Sequence, residues 1–90
     1  MSNHPSDEQV RIAADVLGVE EAYAFANSCH LSEVVPTEDV SCAGDAYYFW
    51  DVIRGGLRCV VGEDGGVLAA ASCVAPAAIV HEYIAGRRSI

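Results

Sequence analysis

The groups in this sequence that could do chemistry are four cysteines, three histidines and thirteen acidic side chains. Nucleophilic catalysis needs a thiol or hydroxyl beside an oriented base, and the adjacent pair is Cys29-His30. Adjacency in sequence does not make two side chains face one another, so the pair alone does not define a catalytic dyad. Cys29, Cys42, Cys59 and Cys73 are spaced 13, 17 and 14 apart and never form Cys-x-x-Cys, which is not a zinc-knuckle spacing. The opening Met1-Ser2-Asn3-His4-Pro5-Ser6-Asp7-Glu8-Gln9 lacks the basic and apolar regions of an exporting signal, so a cytoplasmic location with no disulfide framework is expected. Cys59 and Cys73 lie in apolar runs, where a thiol packs as a small hydrophobe, and the expectation is buried free thiols.

The remaining signatures are absent or weak. There is no Gly-x-Ser-x-Gly, no phosphate loop and no His-Glu-x-x-His, because His81-Glu82 has no second histidine at i+4. The chain has no lysine, which removes Schiff-base chemistry and the common phosphate-cradling side chain. The paired carboxylates Glu20-Glu21 and Glu63-Asp64 fall in a predicted helix and a predicted turn, where they read as solvated. No catalytic, cofactor-binding or metal-ligating residue is assigned, and no enzyme is expected.

Charge says more. Thirteen acids against five arginines give a net charge of −8, which argues against nucleic acid as a partner, since phosphates need cations to displace their counterions. All but three of the acids precede Val52, where Arg11 is the single strong base. A face or loop system of that half can project a negative field that steers a cationic partner; equally, the acids can serve to keep a small apolar domain soluble. With 52% hydrophobic residues the chain should fold, and 90 residues suffice for one core. No stretch is long and apolar enough for a membrane span.

Ser6-Asp7-Glu8-Gln9 predicts a helix start with a reciprocal cap, continued by the stripe Val10, Ala13, Ala14 and Leu17 and stopped by Gly18; residues 1–5 are expected to be disordered. Val19 to Ala26 reads either as a short helix or as a strand. Asn27 to Asp45 predicts a long loop or short edge strands. Asp45 to Arg54 has the aromatic, β-branched composition of a strand, returning through a two-residue Gly55-Gly56 turn to Leu57–Val61. Asp64-Gly65 turns the chain into Val67–Ser72, and Pro76 opens a helix with Ile79, Val80, Tyr83 and Ile84 on one side and Gly86 at its end. The expectation is an α+β domain: one or two N-terminal helices, a three- or four-stranded antiparallel meander, and a C-terminal helix, with helices on one sheet face. In such a two-layer fold Tyr47, Phe49 and Asp51 share the open, wetter face. The aromatic cluster then supplies core on one side and interface anchors on the other.

Tyr47-Tyr48-Phe49-Trp50, Gly55-Gly56-Leu57-Arg58-Cys59-Val60-Val61, Glu63-Asp64-Gly65-Gly66-Val67-Leu68-Ala69-Ala70-Ala71-Ser72, and Pro76 through Ala85-Gly86-Arg87-Arg88 resemble the small bacterial immunity proteins of polymorphic-toxin and contact-dependent growth inhibition systems. The resemblance covers about residues 45–88 and rests on hairpin and helix-end patterns; the first half matches in its opening helix. It implies a toxin inhibitor whose partner is a cognate protein toxin, many of which are nucleases with basic clefts that an acidic protein can occupy. The contact residues it suggests are Glu33, Glu38, Asp39, Asp45 and Asp51, with Tyr47 or Phe49 as anchors. Two rivals remain: an acidic binding module or chaperone for another bacterial protein, which would share the fold and acidity, and a small thiol-dependent enzyme or regulator, which would instead require an exposed, acidic Cys29 or Cys42.

Overall fold

The computed structural model describes residues 4–52, 56–71 and 73–89. The first helix, α1 (Asp7–Leu17), is built as its sequence dictates: Ser6 Oγ accepts from the Gln9 N–H, Gln9 Oε1 accepts from the Ser6 N–H, and Gly18 closes the end at φ 70°. Positive φ there is reached at no steric cost because glycine has no Cβ. Val10, Ala13, Ala14 and Leu17 are its buried stripe. Of the two readings of residues 19–26, the helix is found, as α2 (Glu21–Ala26).

The expected irregular stretch contains a short edge strand, β1 (Ser28–His30), a one-turn helix, α3 (Leu31–Val34), and a 3-10 turn at Ser41–Ala43. Strands β2 (Tyr47–Trp50), β3 (Arg58–Val61) and β4 (Val67–Ala70) follow, and Pro76 opens α4 (Pro76–Ile84). The four strands form one antiparallel sheet in the order β1-β2-β3-β4. The class is therefore α+β, with N-terminal helices, a four-stranded meander and a C-terminal helix. Trp50 pairs with Arg58, and the Asp51 N–H donates to the Leu57 carbonyl at 3.1 Å, so the connection is longer than a two-residue Gly55-Gly56 turn. Residues 53–55 of that connection, Ser72 of the expected third strand and residues 1–3 lie outside the described residues.

The helices do not share one face. Val10, Ala13, Ala14 and Leu17 of α1 and Ala24 of α2 pack with Tyr47, Phe49, Cys59, Val61 and Val67. Leu31 of α3 and Ile79, Val80 and Tyr83 of α4 pack with Tyr48 and Val60, flanked by Trp50, Leu68 and Ala70. Successive strand residues point to opposite faces, so these are two cores back to back on one sheet, α1 and α2 on one side and α3 and α4 on the other. This corrects the expectation of an open sheet face. Each fully buried large side chain contributes roughly 1.5–3 kcal/mol, and both faces of the two central strands, β2 and β3, are used this way.

Candidate functional site

The core beneath α1 and α2 decides the fate of the expected anchors. Tyr47, Phe49 and Asp51 are 2%, 0% and 2% exposed. Tyr47 and Phe49 are sealed beneath α1, and the His30 ring stands edge-on to Tyr47 at 5.3 Å. Asp51 ends β2 inside the molecule, where its Oδ1 accepts from the Tyr23 hydroxyl at 3.3 Å while that hydroxyl accepts from the Val52 N–H at 3.0 Å. At that burial the three side chains do not form the open face expected of anchors; Tyr47 shows itself only in the wall of a small hollow.

The acids of the irregular segment are on the surface. Glu33 belongs to the cap of α3: its Oε2 accepts from the His30 N–H at 3.2 Å, and His30 Nδ1 accepts from the Ser32 N–H at 3.2 Å. Glu38 lies 3.6 Å from the His81 Nε2 of α4. Asp39 Oδ1 accepts from both the Ser41 hydroxyl, at 2.6 Å, and the Ser41 N–H, at 3.0 Å; the hydroxyl bond first and the amide bond second hold its carboxyl below the usual range.

Asp45 is half-buried and lines a hollow of about 200 Å³ with His4, Ser6, Gln9, Tyr47 and Glu63. Glu63 also lines a neighbouring cleft of about 360 Å³ with the Ser41–Gly44 turn, Asp64, Tyr83 and Arg88. The structure thus joins Asp39 and Asp45, through the turn between them, to Glu63 and Asp64, and Glu38 borders the same end through α4. Glu63 and Asp64 were read from sequence as a solvated turn. Their signal was the register: Tyr47 pairs with Val61, and carrying that pairing two residues on sets Asp45 opposite Glu63. Glu33 belongs to the same segment but caps a different turn.

One strong base enters this acidic end. The Arg88 guanidinium stacks 3.6 Å from the Tyr83 ring centre and donates to the Tyr83 carbonyl at 2.8 Å. Burial, more than the opposing Arg88 charge, raises the Tyr83 hydroxyl above its ordinary value, and Asp64 and Glu63 add to the rise.

The thiols divide into two kinds. Burial pushes Cys59 up to about 12, and burial followed by the Glu33 charge pushes Cys29 up to about 11. Cys29 packs toward the α4 core whereas the His30 ring lies against Tyr47 of the other core, so β1 turns thiol and imidazole to opposite faces. Cys42 and Cys73 are exposed, which corrects the expectation of a buried Cys73. Cys73 sits in the turn before α4, where the apolar run has already left the sheet. Among the described residues, no three His, Cys, Asp or Glu side chains gather as metal ligands, and no helix is long and apolar enough to cross a membrane.

Compared with known proteins, the chain matches no protein-family model, no curated protein and no solved structure.

Proposed function

We propose that this chain is an immunity protein that binds a basic protein toxin, of the nuclease type, and blocks it by covering its cationic cleft. The observation that carries this reading is that Asp45, Glu63 and Asp64 line adjoining hollows beside the Ser41–Ala43 turn, with Asp39 bonded to Ser41 of that turn and Glu38 beside His81 of α4. A surface of one sign speeds encounter with a surface of the other and rejects like-charged partners. The blockade is steric and electrostatic and requires no reaction by the chain itself. Glu33 lies along the same segment, while the buried Tyr47, Phe49 and Asp51 offer no open face to the contact.

The test is co-expression with the toxin gene adjacent to its own, scored as survival, followed by the charge reversals Glu38→Arg with Asp39→Arg and, separately, Glu63→Arg with Asp64→Arg. Each pair is expected to weaken binding about tenfold or more, chiefly through slower association at low salt. Lack of protection by the unaltered chain, or protection and affinity unchanged by both reversals, overturns the proposal.

A further inference from the structure

Strand β4 is the last strand of the sheet, so among the described residues one of its edges has no neighbouring strand. The phase of the β3–β4 ladder is set by the Gly62 N–H, which donates to the Gly66 carbonyl at 2.8 Å. Antiparallel ladders alternate, so Val60 and Leu68 form the next hydrogen-bonded pair, and the backbone groups of Val67 and Ala69 point away from β3.

Two of those outward groups are occupied by the end of the chain. The Ser89 N–H donates to the Val67 carbonyl at 2.7 Å, and Ser89 Oγ accepts from the Ala69 N–H at 2.9 Å. A single residue bonded to the positions on either side of Leu68 has the geometry of a parallel ladder, with the serine hydroxyl standing in for a carbonyl. Arg88 moors this residue through its stack on Tyr83 and its bond to the Tyr83 carbonyl. The strand beneath reads Val67-Leu68-Ala69-Ala70, with no charge and no proline, the devices by which natural edges refuse further strands.

We propose that Arg87–Ser89 is a removable cover on the β4 edge, and that lifting it lets β4 pair with β4 of a second copy of this chain. The outward groups are self-complementary about Leu68. In an antiparallel pair centred there, Val67 of each copy exchanges both backbone hydrogen bonds with Ala69 of the other. Ser89 competes for half of those groups in the covered state, so pairing must first displace it.

The experiment compares three proteins by sedimentation velocity: the full chain, the chain ended after Arg88, and that shortened chain carrying Ala69→Pro. The shortening leaves Arg88 on Tyr83. Proline at 69 removes an N–H that points away from β3 and so spares the existing ladder. Shortening is expected to tighten self-association by about tenfold or more, the loss of two competing hydrogen bonds, and Ala69→Pro is expected to abolish the gain. Amide exchange, compared between the full and the shortened chain where both are monomeric, should quicken at Ala69 and stay unchanged at Leu68, whose N–H faces β3. A shortened chain that associates no more than the full one, association that survives Ala69→Pro, or equal loss of protection at Leu68 overturns the proposal; the last result would make the segment part of the core.

Discussion

Gln9 Nε2 donates to the carbonyl of Val61 at 3.2 Å, across 52 positions of sequence, and to that of Asp45 at 2.7 Å. The same side chain closes the α1 cap through its Oε1. One amide therefore ties the first helix to β3 and to the loop entering β2, and it does so at 4% exposure, where an unmet carbonyl is expensive. Gln9→Leu strands the Asp45 carbonyl and the Ser6 N–H, and leaves the Val61 carbonyl with its ladder partner, Tyr47 of β2, alone. It should cost about 2–3 kcal/mol, read as a lowered midpoint of denaturant unfolding at unchanged slope. A loss within about 0.5 kcal/mol would show these bonds to be replaceable by water.

The contrast between Gln9 and Tyr47 marks what was legible. Gln9 was found as a helix cap because a cap is local: Ser6 and Gln9 carry the whole signal. Its bonds to Val61 and Asp45 depend on the register of the sheet and have no local signature. The meander was legible for the same reason as the cap, through its glycine turns. The burial of Tyr47, Phe49 and Asp51 was missed because alternation was imposed on strands that do not alternate. Tyr47-Tyr48-Phe49-Trp50 and Val67-Leu68-Ala69-Ala70 are continuous apolar runs, and such runs indicate strands covered on both faces. Register compounded the error. A two-residue turn at Gly55-Gly56 would pair Trp50 with Val61, whereas Trp50 pairs with Arg58, a slip of three that hid the meeting of Asp45 with Glu63.

Gly62 and Tyr83 set a second test. A Cβ at position 62 would overlap the Tyr83 hydroxyl and come within 2.8 Å of Asp64 Oδ1, the atom that accepts from the Gly66 N–H. Gly62→Ala should destabilise the chain by about 1–3 kcal/mol through overpacking between the β3–β4 turn and α4. Tyr83→Phe removes the clashing oxygen, so the double variant should be more stable than the sum of the two single losses, with a coupling of about 0.5 kcal/mol or more in a thermodynamic cycle. Strict additivity would place the cost of Gly62→Ala elsewhere.

Thiol chemistry separates by position. In the native chain near pH 8, an aromatic disulfide reagent should modify the exposed Cys42 and Cys73 quickly. Cys29 should react slowly, and the fully buried Cys59 at the rate of unfolding, because the reactive thiolate is scarce at both and Cys59 has no access to reagent. Mass mapping of modified peptides over time checks the order. Fast labelling of Cys29 would make that half-buried sulfur a nucleophile and favour the thiol-dependent reading of this chain.

Burial also links these thiols to stability at high pH. Cys59 titrates near 12 and Cys29 near 11 in the folded chain, each raised from an ordinary value of 9.0, and the Tyr83 hydroxyl is raised as well. Below pH 9 the thiols hold their protons folded or unfolded, and their contribution is fully present. As pH climbs from 9 toward the folded values, the unfolded chain ionises while the folded chain resists, so stability falls, at a limiting rate of about 1.4 kcal/mol per pH unit for each fully shielded group. Cys59 is the better shielded of the two thiols and should carry the larger share. Urea unfolding under reducing conditions at about pH 8 and pH 10.5 should therefore show a marked loss in the unaltered chain. In Cys59→Ala, less stable at pH 8 because of the cavity it leaves, the further loss on raising the pH should be smaller. An alkaline decline of the same size in Cys59→Ala would remove that thiol as its source and leave Cys29 and Tyr83 to account for it.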